Sequence, residues 1–217
     1  RAFDRGVTAY DAGRLAEARA AFETAADAAP RAPDAWANLG TAAWQQGDTV
    51  AAAVGWQRAL RLAPTADDER DRLALLPTSQ DGRVAGLPPV PVDLVAVGGL
   101  LLGIAAGAAV ALRMRGRAPR RATSVAWPAG ATAVVLLGGA LYLADLARAE
   151  SLAVVRRDGS LRTEPALGAD PTAPVQASDV ARVVGRQNAW VRVQLDGDRE
   201  GWVESDRLVS LAALTAP

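Results

Sequence analysis

Tyr10 and Trp44 stand 34 residues apart, and Asp11 and Gln45 follow them at the same interval. Aromatic rings next to polar groups at one spacing suit recognition chemistry: apolar contact and stacking on a peptide or helix, with hydrogen bonds to orient it. Little in the chain can do more. Its 217 residues include no His and no Cys, and all 24 basic residues are Arg. The usual general base near neutral pH, the thiolate nucleophile and the commonest transition-metal ligands are therefore missing. Enzyme chemistry is disfavoured, and no metal or cofactor site suggests itself. Twenty-four acids balance the arginines, so no global field draws the chain to nucleic acid.

The same interval governs the surrounding residues. Gly6 recurs as Gly40, Gly13 as Gly47, Ala18 as Ala52, Phe22 as Trp56, Ala25 as Ala59 and Pro30 as Pro64. A 34-residue unit with small residues where two helices touch, Gly at the turn and a closing Pro resembles the tetratricopeptide repeat. The resemblance implies helix pairs stacked to leave a concave surface for another protein. Counted along its consensus, the groove positions are Phe3, Val7, Tyr10 and Asp11, then Asp34, Ala37, Asn38, Thr41, Trp44 and Gln45. Phe3 and Val7 stand where a clamp for a peptide carboxylate would need polar or basic groups. The acids Asp67, Asp68 and Glu69 ahead of Leu73, Leu75 and Leu76 predict an extra helix covering the last repeat, so the all-α region runs over residues 1–76. Arg1 falls within the first repeat helix, which raises the expectation of sequence upstream, either a leader or further repeats.

Residues 77–93 form a Pro-rich linker, expected to be extended. Residues 94–112 and 125–144 carry no charge and are 19 and 20 residues long, about the length an α-helix needs to cross a ~30 Å hydrocarbon core. They predict a two-helix transmembrane hairpin with spans at 94–112 and 125–147. The intervening residues 113–124 hold Arg113, Arg115, Arg117, Arg120 and Arg121 without an acid, which predicts a cytoplasmic turn able to meet anionic lipid and puts both flanks outside the cytoplasm. Gly99, Gly103 and Gly107 line one face of the first span, for packing on the second span in preference to a second copy.

Beyond the spans the period changes to two. Val191, Val193 and Leu195 alternate with Arg192 and Gln194, Asp196-Gly197 signals a hairpin turn, and Val203 resumes the pattern after Gly201-Trp202. Residues 151–212 are thus expected to form a small all-β barrel of about five strands, with Trp202 in its core and Trp190 on its surface. Gly159-Ser160-Leu161, Trp190-Val191-Arg192-Val193 and Gly201-Trp202-Val203 resemble the bacterial SH3 domain pattern.

The order of modules, repeats then a two-span hairpin then an SH3-like barrel, is similar to the BatE-like proteins of the bacterial aerotolerance operon. That resemblance implies an envelope protein; together with the orientation expected from the arginine-rich turn, it predicts a protein of the bacterial inner membrane with both termini extracytoplasmic. It also implies envelope partners, among them the von Willebrand A-type membrane proteins of the same operon. Two functions follow as expectations. One is a scaffold recruiting envelope proteins through the groove and the barrel; the alternative is a module that binds cell-wall peptide through the barrel surface at Trp190.

Overall fold

The computed structural model describes residues 1–77, 92–116, 120–147, 152–195 and 199–211. They fall into two units, one drawn from both flanks of the chain, Arg1–Pro88 with Arg148–Pro217, and one from Pro89–Ala147 between them.

In the first unit the repeats form α1 (Ala2–Asp11), α2 (Leu15–Ala28), α3 (Pro33–Gln45) and α4 (Thr49–Leu62), followed by α5 (Asp67–Ala74). Within each repeat the turn between its two helices holds a glycine in the left-handed region, Gly13 at φ 71° and Gly47 at φ 78°, a conformation costly for any residue with a Cβ. Asp48 caps α4 by accepting from the Ala51 amide at 2.9 Å and binds Arg19 of α2 at 2.8 Å. The interval of 34 has a physical cause. A Cβ on Gly6 would lie 2.5 Å from the Phe22 ring, and one on Gly40 2.7 Å from the Trp56 ring, so each glycine leaves room for its own repeat's aromatic. Phe22 and Trp56 are buried among Ala18, Ala42, Ala52 and Ala53.

The β part is a single antiparallel sheet of seven strands where about five were expected. These are β1 (Leu152–Val155), β2 (Gly159–Arg162), β3 (Pro171–Val175), β4 (Val180–Gln187), β5 (Trp190–Gln194), β6 (Glu200–Glu204) and β7 (Leu208–Ser210), in the order β3-β2-β6-β5-β4-β1-β7. The extra strands are short pieces whose apolar content is too small to read alone. Gln194 pairs with Glu200 across the expected hairpin, whose turn at Asp196 and Gly197 lies outside the described residues. Val191, Val193 and Leu195 point inward with Val155, Leu161, Val175, Ala181 and Val203. Trp202 corrects the expectation: alternation along β6 buries Gly201 and Val203, so Trp202 between them faces outward and is only half-buried. A Cβ on Gly201 would meet the Leu161 Cβ at 2.8 Å, which is why the inward position beside Trp202 is empty.

β1 is buried at all four positions, and the reason lies outside the barrel. Val155, with Ala181 of β4 beside it, faces the barrel core. Leu152 and Val154, with Val180 and Leu211, enter a second core made with Ala43, Ala52, Ala53 and Trp56 of the repeats and Leu76 after α5. The sheet edge β4-β1-β7 and the last repeat thus share one apolar cluster, and a strand covered on both faces reads as an unbroken apolar run.

The second unit is a pair of helices, α6 (Val92–Met114) and α7 (Arg120–Ala147). Arg113 therefore belongs to the last turn of α6, and Arg120 and Arg121 open α7, so the turn is shorter than residues 113–124; Arg117 lies outside the described residues. The helices meet on small residues: Ala106 of α6 and Ala126, Ala133 and Ala140 of α7 are buried. A Cβ on Gly99 would touch Leu136 and Leu137 at 3.1 Å and one on Gly103 would touch Ala133 at 3.6 Å, while Gly107 has nothing within 4 Å. By length and hydropathy one helix among the described residues, Asp93–Met114, is sufficient to cross a membrane; the apolar stretch of α7, Ala126–Tyr142, is shorter.

Candidate binding surfaces

The groove positions lie on α1 and α3, the first helix of each repeat. Their side chains divide into two sets. Phe3 stacks obliquely on Phe22 with ring centres 5.6 Å apart, and Tyr10 packs against the cluster of Ala9, Ala18, Phe22 and Ala42. Trp44 packs on Trp56 at 5.8 Å. Thr41 donates to the Ala37 carbonyl at 2.9 Å and accepts from the Trp56 indole at 3.3 Å, and the Asn38 amide donates to the Asp34 carbonyl at 2.8 Å. These residues are partly committed to the repeat itself, and Ala37 is buried. Exposed along the same helices are Val7, Asp11, Asp34 and Gln45. The surface on offer is therefore a small apolar patch with two carboxylates, flanked by the accessible edges of Tyr10 and Trp44.

A second candidate lies on the sheet. Trp190 opens β5 opposite Glu204 of β6 and borders a cavity of about 90 Å³ shared with Ser160, Arg162, Val203, Glu204 and Arg207. Gly159 makes space there: a Cβ would stand 2.5 Å from the Arg207 Nη1. Arg207 Nε donates to Glu204 at 2.7 Å, and Arg162 Nη1 donates to the Ala169 carbonyl at 2.8 Å, so both guanidiniums are held in place with other donors to spare. Two cations, one carboxylate and an indole face around so small a space suit the end of a peptide, not an extended Pro-rich segment. Of these residues the spacing pointed to Trp190 alone; Arg162, Glu204 and Arg207 come to it through strand register, which no local pattern announces.

A third surface went unread in the sequence. Arg58 and Arg61 of α4 reach toward the sheet: Arg58 Nη2 donates to the Ser210 carbonyl of β7 at 3.3 Å, and its guanidinium carbon lies 4.5 Å over the Trp36 ring. Burial lowers the pKa of Arg58, opposed by the nearby Asp27. Arg61 is pushed down to about 10, first by burial and then by the charge of Arg182 on β4. The available signal was the apolar run of β1, which required a cover. Among the described residues no group of three or more His, Cys, Asp or Glu side chains is placed to hold a metal ion.

Residues 3–67 match the tetratricopeptide repeat family and residues 157–209 match the bacterial SH3 domain family. No curated protein matches the chain. The chain thus carries a repeat region and a bacterial SH3 domain, both of them interaction modules.

Proposed function

We propose that this protein is a membrane-anchored scaffold whose repeats and SH3-like domain are held as one body on the outer face of the bacterial inner membrane. The observation that carries the reading is the core shared by Ala53, Trp56 and Leu76 with Leu152, Val154 and Leu211. A body assembled from both flanks of the chain has to stand on one side of a bilayer. If α6 leaves through the membrane, α7 has to return. Their surfaces support this: Leu94, Leu101, Ile104, Val134, Val135 and Leu141 are all exposed, while alanine and glycine fill the contact between the helices. Water penalises such an arrangement and lipid favours it. Trp127 and Tyr142 are exposed at the two ends of the apolar stretch of α7, about 22 Å apart at 1.5 Å per residue, the disposition of aromatic anchors at two interfaces. The arginines at the closed end favour its cytoplasmic placement, and the order of modules extends the reading to a BatE-like envelope protein with von Willebrand A-type partners. The exposed Asp11 and Asp34 suit a partner helix bearing arginine or lysine.

Three single-cysteine variants of a chain that has no cysteine of its own, at Glu23, Arg115 and Ala166, test the topology. In intact cells a membrane-impermeant maleimide is expected to label Glu23→Cys and Ala166→Cys and to spare Arg115→Cys. Labelling of Glu23→Cys or Ala166→Cys without the other would sink the common-body reading, and labelling of Arg115→Cys alone would invert the hairpin.

The cavity at Trp190 supports a second reading, in which the body binds wall peptide. The full chain in detergent is expected to pellet with purified cell wall, and Trp190→Ala to weaken that binding about tenfold, as truncation of a central aromatic does. Equal pelleting of the two proteins removes the site.

A further inference from the structure

The cavity at Trp190 is assembled from separate pieces of the sheet: the ends of β2 at Gly159 and Arg162, the first residue of β5, the end of β6 and the short 3₁₀ turn that carries Arg207. Its two guanidiniums are held differently. Arg207 is paired with Glu204 through Nε at 2.7 Å, and its Nη1 lies against Gly159, where a Cβ would stand 2.5 Å away. Arg162 is tied by Nη1 to the Ala169 carbonyl at 2.8 Å and makes no ion pair among the described residues. Two guanidiniums and one carboxylate leave the lining with one positive charge, and that charge is on Arg162. The bond from Nη1 leaves its Nε–Nη2 edge for a ligand, the fork that meets a carboxylate through two parallel hydrogen bonds. The volume limits what enters. About 90 Å³ is roughly three water molecules' worth at ~30 Å³ each, room for a carboxylate and a methyl group but not for a chain that continues past them. Trp190 and Val203 offer that methyl an apolar wall.

We propose that this cavity binds the free C-terminal carboxylate of a peptide ending in a small residue such as alanine. Arg162 is the ionic ligand, Arg207, positioned by Glu204, is a second donor, and Trp190 is the wall against the last side chain. Trp202, the register partner of Arg162 on the same side of the sheet, gives the preceding residue an apolar ledge. A carboxylate carries the single charge that matches the lining, and Glu204 beside it disfavours an anion of higher charge. The proposal deepens the wall-peptide reading of this same site and rests on it. It adds that open peptide ends are bound, whereas ends whose carboxylate has been condensed into an amide are not.

The test titrates dye-labelled Gly-Gly-Ala with the full chain in detergent, read by fluorescence anisotropy. The dye is on the N-terminus, the alanine is L or D, and the C-terminus is a carboxylate or an amide. For at least one alanine form the acid is expected to bind about tenfold tighter than the amide, the low end for a charge-assisted hydrogen bond. Arg162→Gln, which keeps a donor for the Ala169 carbonyl, is expected to erase that preference, and Arg162→Lys to restore part of it. The comparison of acid with amide uses the native chain alone, so it stands if a variant does not fold. Acid and amide binding alike, or neither binding, overturns the proposal. So does a Gly-Glu-Ala amide that matches the acid, since the ligand would then be an acidic side chain, or inorganic phosphate that displaces the acid as well as unlabelled peptide does. If acid and amide bind alike while Trp190→Ala still loses cell-wall pelleting, recognition of the peptide end falls and the wall reading stands. An acid preference in a chain that does not pellet with wall keeps the site and removes the wall as the source of its peptide.

Discussion

Gly55→Ala breaks the second repeat, although alanine is the better helix former by about 1 kcal/mol. Gly55 lies in the middle of α4, where α4 crosses α3. A Cβ there would stand 2.7 Å from both the Cα and the N of Gly40 and 2.8 Å from the Trp36 carbonyl oxygen. All three are backbone atoms of α3, so no rotamer change relieves the clash and the helices themselves have to separate. Overpacking of this kind costs about 1–3 kcal/mol and occasionally more; the rigid neighbours put Gly55 at the top of that range. Net of helix propensity, the thermal midpoint is expected to fall by about 4–8 °C, with a loss of helical circular dichroism and a red-shifted Trp56 emission. Gly13→Ala is the useful contrast. Gly13 has open space around it but a φ of 71°, so only the left-handed backbone cost of about 1–2 kcal/mol applies. An unchanged midpoint in Gly55→Ala would mean that the two helices are not in contact at Gly40.

Val154→Asp is expected to uncouple the two modules. Val154 is fully buried on the face of β1 turned to the repeats, whereas Val155 belongs to the barrel core. An aspartate at 154 is left without a partner in the shared cluster, a change in the class that costs more than about 4 kcal/mol, yet the barrel's own interior is not altered. Calorimetry of the full chain is expected to give one transition for the repeats and barrel of the native protein, and two separated transitions for the variant. A single transition at lower temperature would show that the barrel does not stand without its contact to α4.

The repeats were legible because their constraint is local and doubled. Gly6 with Phe22 and Gly40 with Trp56 are the same contact written twice, and a contact repeated at fixed spacing leaves a mark in the sequence. Strands β5 and β6 were legible for a similar reason, since Val191, Val193 and Leu195 alternate across a barrel that has one wet face. β1 was not. Leu152, Ala153, Val154 and Val155 have no alternation because both faces are covered, and an apolar run of four says that a strand is buried without saying by what. Trp202 misled for the opposite reason: a large aromatic suggests a core, but its parity in β6 is set by Gly201 and Val203 on either side. The cavity at Trp190 needs the pairing of β5 with β6 and the path of the chain from β6 into β7, which are properties of register.

The shared core also sets an order of events during biosynthesis. The repeats are made first, and their apolar patch at Ala53, Trp56 and Leu76 has no cover until Leu152, Val154 and Leu211 have been synthesised. In the proposed hairpin both helices intervene, so the patch closes only when the nascent chain has been passed out and back through the translocon. A chain threaded with one helix misplaced strands its β segment on the far side and keeps the patch bare, a surface that chaperones and proteases recognise. Docking of the barrel onto the repeats would then act as a checkpoint on membrane insertion, with correctly threaded molecules passing and the others marked for removal.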